Sequence, residues 1–82
     1  MTLYPNPTQA NINLNFEGVE TRSLRIDILD VLGKSISHMD YDSVAGSNNI
    51  LLNTNGLAEG MYFIKVSDKV NASVRLLKFV KI

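Results

Sequence analysis

Gly60-Met61-Tyr62-Phe63-Ile64-Lys65-Val66 is the stretch that decides the fold. Tyr62, Ile64 and Val66 recur with a period of two, while Met61 and Phe63 fill the intervening positions. Residues two apart share a face of a strand, so this segment presents apolar groups on both faces and reads as a central strand. Gly60 stands at its entry, where the absence of a side chain suits a close approach of neighbouring structure. A strand of this kind needs neighbours, and the chain on either side supplies them.

Toward the N-terminus, Ile12, Leu14 and Phe16 alternate with Asn11, Asn13 and Asn15, a strand with one wet face. Leu24, Ile26 and Ile28 alternate with Arg25 and Asp27, and the apolar phase then slips to Leu29 and Val31. The slip implies a strand buried on both faces or a β-bulge. A helix over Leu24–Leu32 competes on four-residue spacing, but no capping pattern supports both ends. Gly33 turns the chain, and a strand begins at Lys34-Ser35-Ile36 and runs to about Tyr41. Ala45-Gly46-Ser47-Asn48-Asn49 is loop chemistry, Ile50-Leu51-Leu52 a short strand, and Asn53-Thr54-Asn55-Gly56 a turn. Asp68–Asn71 turns into a last strand, Ser73–Ile82, whose apolar residues also slip phase, from Val74 and Leu76 to Leu77 and Phe79. Six or seven short strands at about ten-residue spacing predict an all-β, immunoglobulin-like antiparallel β-sandwich.

The 82 residues, 45% of them hydrophobic, make one domain. A chain this short buries only about 60–65% of its unfolded surface, so its stability margin is thin and a deep cleft is out of reach. Without cysteine it has neither disulfides nor thiolate metal sites. A net charge of zero argues against nucleic acid as a partner. The charge is uneven, however: residues 65–82 carry Lys65, Lys69, Arg75, Lys78 and Lys81 against Asp68 alone, while acids outnumber bases before them. No apolar run reaches the roughly 20 residues of a membrane helix, so no membrane insertion is expected. Met1-Thr2-Leu3-Tyr4-Pro5 has neither the basic nor the apolar region of a signal peptide, so an export signal, if there is one, lies elsewhere.

The candidate chemistries are weak. His38 is a lone histidine without a thiol, and reads as a strand-edge residue rather than a ligand or base. Asp40 and Asp42 share a side of a strand, but calcium needs six to eight oxygens and no D-x-D-x-D-G loop follows. Leu32-Gly33-Lys34 lacks the spacing of a phosphate loop, and Asn71-Ala72-Ser73 is a chance glycosylation sequon. Tyr62, between apolar neighbours, reads as core with its hydroxyl on a backbone partner. No catalytic residue, metal site or cofactor is expected.

Both prolines of the chain lie in Leu3-Tyr4-Pro5-Asn6-Pro7. They fix φ near −65°, bias Tyr4 and Asn6 to extended geometry and donate no backbone hydrogen bond, so the segment reads as a stiff entry leading into an edge strand and docking Leu3 or Tyr4 on the sandwich, or as an N-terminal turn that serves folding alone. Together, Tyr4-Pro5-Asn6-Pro7, the strand Ile26–Leu32 with its Gly33-Lys34 turn, Leu57-Ala58-Glu59-Gly60-Met61-Tyr62 and the lysine-bearing end Lys78-Phe79-Val80-Lys81-Ile82 resemble the C-terminal sorting domain of the type IX (Por) secretion system of Bacteroidetes. The likeness runs the whole chain, in order.

It implies an excised, non-catalytic domain from the end of a larger secreted protein, with an N-terminal cargo domain before it. The outer-membrane translocon and a sortase-like processing enzyme would be its partners. The cargo would pass through the periplasm to the cell surface or medium. Lys78 and Lys81 would then present charge along an edge strand open to capture by strand addition. An adhesion or carbohydrate-binding sandwich, marked by aromatics on a wet face, is the rival expectation.

Overall fold

In the computed structural model, which describes all residues Met1–Ile82, the alternating segments are strands and no residue is helical. They are β1 (Thr2–Tyr4), β2 (Asn11–Gly18), β3 (Ser23–Leu29), β4 (Ser35–Asp42), β5 (Gly46–Asn53), β6 (Gly60–Asp68) and β7 (Val74–Lys81). One sheet has the order β1-β2-β5 and the other β4-β3-β6-β7, every strand pair being antiparallel. The chain changes sheet after β2, β4 and β5, as in a Greek-key sandwich. As its two apolar faces require, β6 lies inside its sheet, between β3 and β7.

The core lies where the inner faces meet. β2 contributes Ile12 and Leu14, β5 contributes Ile50 and Leu52, and β3 contributes Leu24, Ile26 and Ile28. Opposite stand Tyr62, Ile64 and Val66 of β6 and Phe79 of β7. Each such side chain contributes about 1.5–3 kcal/mol by leaving water, which is how so small a chain offsets the entropy of folding. Tyr62 and Phe79 stack with ring centroids 5.5 Å apart, anchoring the last strand to the centre of the sheet.

The phase slip after Ile28 is a bulge: the β3–β4 register shifts between Ile28 and Leu29. The slip expected in the last strand is absent, because β7 pairs with β6 without interruption from Val74 to Lys81. Val74 and Leu76 are exposed apolar residues on the sheet's outer face. The expected loop at Gly46–Asn49 is also strand. Asn48 points inward there, and its side chain bonds Tyr41 Oη, the Val44 N–H and the Val44 and Gly46 carbonyls, sewing β4 to β5. A fully bonded asparagine can occupy a core position that composition alone assigns to a loop.

Gly33 has φ +85° in the β3–β4 hairpin, as its turn requires. Gly60 was expected to serve a close approach, but a Cβ there would meet nothing within 4 Å; its φ of +152° is what favours glycine.

Candidate functional site: the joined chain ends

β1 and β7 are edge strands of different sheets, and Leu3-Tyr4-Pro5-Asn6-Pro7 passes from one to the other. Leu3 faces inward opposite Leu14 and packs on the core, while Tyr4 points outward and is exposed. The prolines therefore follow the edge strand rather than lead into it. Both X-Pro peptides are cis.

Neither proline can donate to a ladder, and the Asn6 side chain takes over that task. Its Nδ2 donates to the Lys78 carbonyl at 3.0 Å and its Oδ1 accepts from the Val80 N–H at 3.0 Å. An amide bonded through both ends copies a backbone peptide, so Asn6 serves β7 as a one-residue neighbouring strand. Thr8 extends the pairing. Its N–H donates to Val80 O, its carbonyl accepts from the Ile82 N–H, and its hydroxyl bonds Asn11 O. The first and last segments of the chain thus form one element.

A second set of contacts fastens the same end of β7 to the β5–β6 connection. The Tyr62 hydroxyl donates to the Ala58 carbonyl at 2.7 Å, as a buried tyrosine needs. Lys81 Nζ donates to the Leu57 carbonyl at 3.1 Å. Leu57 packs on the core, and its N–H bonds Thr54 O. Lys81 is therefore buried and structural, which corrects the expectation that it presents charge. Its position in β7 turns it inward with Phe79, and its ammonium is used on a loop carbonyl.

Of the sequence-predicted residues, Tyr4, Pro5, Asn6, Pro7, Gly60, Tyr62, Lys78 and Lys81 converge on this end of β6 and β7. Gly33 and Lys34 do not: their hairpin lies beyond β3, two strands away from β7. There Asp30 Oδ1 accepts from the Leu32 and Lys34 N–H groups and fixes the turn. Sequence reading missed the roles of Asn6 and Leu57. An amide held between two prolines, where the backbone cannot donate, was the available signal for Asn6.

Charge is also redistributed. Lys69 is paired with Asp40 and Lys81 is buried, while Lys65, Arg75 and Lys78 take part in no ion pair. The turn that launches β7 is organised by Asp68, whose carboxylate accepts from Arg22 at 2.9 Å and from the Val70 and Asn71 N–H groups. The Arg22 guanidinium, then those amides, hold the Asp68 carboxyl below its ordinary pKa. Asp27 is buried, which opposes ionisation, yet hydrogen bonds from Arg25 and Ser35 leave its pKa lowered. His38 is exposed on edge strand β4, and no group of three or more His, Cys, Asp or Glu side chains is arranged to hold a metal. The hollow of about 340 Å³ between the sheets lies at the opposite end, beside Arg22 and Asp68, which already bond each other.

The site is thus a fastened edge strand with basic, unpaired side chains. The model of the secretion system C-terminal sorting domain family matches residues 2–81. Neither the curated proteins nor the solved structures yield a match. A two-sheet sandwich whose opening proline motif is bonded to its closing strand, matched from end to end, places the chain in the family of type IX secretion C-terminal sorting domains.

Proposed function

We propose that this domain marks an N-terminal cargo protein for passage from the periplasm through the outer-membrane translocon, and that a sortase-like enzyme then removes it. Family membership supplies the coarse role, a sorting signal for export across the outer membrane toward the cell surface. The observation that carries the finer reading is the bidentate Asn6 contact with Lys78 and Val80. It makes the entry segment and the terminal strand a single folded recognition surface rather than two separate tags. The domain acts by being bound and has no chemistry of its own to perform. Gly60, Tyr62 and Lys81 build the surface, Gly33 and Lys34 shape a separate hairpin, and Lys78 is displayed.

The test is a fusion of residues 2–82 behind a periplasmically exported fluorescent passenger in a type IX-competent bacterium. Its companions are a version lacking Arg75–Ile82 and one carrying Asn6→Ala. Export of the full fusion with retention of the truncation supports the reading; retention of a folded full fusion in the periplasm refutes it.

One observation favours the rival glycan-binding reading. The outer face of the β1-β2-β5 sheet carries Asn11, Asn13, Asn15, Asn49 and Asn53 around exposed Tyr4 and Leu51, amides and an aromatic ring that suit a neutral sugar. A glycan array probed with the isolated domain, and again with Tyr4→Ala, separates the two.

A further inference from the structure

Strand alternation fixes which backbone groups of β7 face away from β6. Val80 directs both its N–H and its carbonyl outward, to Asn6 and Thr8. Val74, Leu76 and Lys78 share its parity, so their N–H and C=O groups point to the same open side. The Lys78 carbonyl is taken by Asn6, whereas nothing beyond the sheet pairs with the remaining groups of Val74–Lys78. The terminal strand is thus closed over its last third and open over its first part.

The side chains beside the open part combine exposed apolar groups with unpaired positive charge. Val74 is 50% exposed and Leu76 60%. Register places Lys65 next to Leu76, Phe63 next to Lys78 and Arg75 opposite Val66. Lys65, Arg75 and Lys78 have no carboxylate partner, and Asp27, across the sheet from Lys65, is engaged by Arg25 and Ser35. This stretch has neither the bulge nor the proline that commonly shields a natural sheet edge; its shielding is charge, Lys78 on the outer face and Arg75 on the inner, which repels basic strands and admits an acidic one.

We infer that Val74–Lys78 is a β-augmentation site for an extended segment of a partner protein that carries apolar residues and Asp or Glu together on one face of the strand. The added strand takes hydrogen bonds from Val74, Leu76 and Lys78 and lays its apolar side chains on Val74 and Leu76. Its carboxylates meet Lys65 and Lys78 on that same outer face, two residues along the added strand from its apolar groups, and Arg75 on the inner face. Asn6 sets the register stop, because the ladder beyond Lys78 is already occupied. The partner's location, in the outer-membrane export machinery, rests on the proposed sorting function; the binding itself does not.

The experiment titrates the isotope-labelled 82-residue chain with two nonapeptides, followed by amide NMR; every second residue of each is drawn from valine and aspartate in one and from valine and lysine in the other, with threonine between. The acidic peptide is expected to shift the Val74, Leu76 and Lys78 amides. At about ten times its Kd it should slow their exchange about tenfold. The basic peptide should do neither. Leu76→Pro removes only an outward N–H and leaves the β6 ladder intact, so the folded variant should lose binding. The pair Lys65→Glu with Lys78→Glu should transfer the preference to the basic peptide.

Shifts elsewhere, equal response to both peptides or unchanged binding by folded Leu76→Pro would overturn the inference. So would concentration-dependent self-association in sedimentation that Leu76→Pro abolishes, since a second copy would then own the edge. Export of the Leu76→Pro fusion reads the other half: binding lost with export retained means the edge does not serve sorting, whatever it binds.

Discussion

Replacing Asn6 by alanine tests whether the two ends of the chain act as one element. The asparagine makes two hydrogen bonds of 3.0 Å to Lys78 and Val80 on an exposed edge. A typical intramolecular hydrogen bond contributes about 0.5–1.5 kcal/mol net, and at an exposed site water recovers part of what is lost. The pair is therefore worth about 1–2 kcal/mol, a sizeable share of the 5–15 kcal/mol margin of a small domain. At about 4–8 °C per kcal/mol for a domain of this size, the loss is visible in a thermal melt.

The sharper assay is native-state hydrogen exchange. The Val80 amide, and that of Ile82 on Thr8, should exchange about 5–30 times faster in Asn6→Ala, while Leu77 and Phe79 on the β6 side change only with global stability. Asn6→Asp is the control for chemistry. It keeps an acceptor for Val80 N–H but turns a lone pair on the Lys78 carbonyl, so it should cost at least as much as alanine. Wild-type protection of Val80 in Asn6→Ala, or wild-type stability in Asn6→Asp, would refute the strand-mimic argument.

Four further outcomes follow from single contacts. Tyr62→Phe keeps the stack on Phe79 but loses the bond to Ala58, and should cost about 1 kcal/mol in urea unfolding. Lys81→Met leaves the Leu57 carbonyl without its ammonium and should cost about 1 kcal/mol, whereas exposed Lys78→Met should stay within about 0.5 kcal/mol of wild type. Gly18→Ala would drive its methyl into the Val44 carbonyl and to 2.9 Å from Asn48 Nδ2, and should cost about 3 kcal/mol or prevent folding, read by circular dichroism. Asp68 and Asp27 have lowered pKa values, so the unfolded chain binds protons more readily. Their stabilisation is full above the unfolded carboxylate value of about 3.9 and drains away as pH falls through the folded values. The urea midpoint should therefore fall below about pH 4, and Asp68→Asn should flatten that dependence.

What the sequence made legible was what alternation encodes. The two apolar faces of Gly60–Val66 predict an interior strand, and β6 is one; the slip after Ile28 predicts a bulge, and one is there. Alternation has no term for a polar side chain that is buried because it is bonded. Asn48 was therefore read as loop and Lys81 as displayed charge, although both point inward. Nor does it distinguish a phase slip from an apolar residue left outside, which is why Val74 and Leu76 looked like an irregularity in β7 rather than an exposed face. Sheet order was not readable at all, since it depends on contacts between distant segments.

The most distant of those contacts is the one on which the site depends. Asn6 and Val80 lie 74 residues apart, and each is unremarkable alone: an asparagine in a proline-rich turn, a valine in a strand. Local propensity explains why the first segment cannot form a ladder, because its prolines lack N–H groups. Only the fold shows that the terminal strand lacks a neighbour where that segment passes, so the two deficits cancel. The cancellation is incomplete: Asn6 and Thr8 cover Lys78–Ile82 and leave Val74–Leu76 bare. A sorting domain must present something its machinery can bind, yet resist pairing with other strands before it arrives. On the proposed reading, an edge closed at one end and open over a short basic stretch meets both demands, with the length of the opening set by where Asn6 sits.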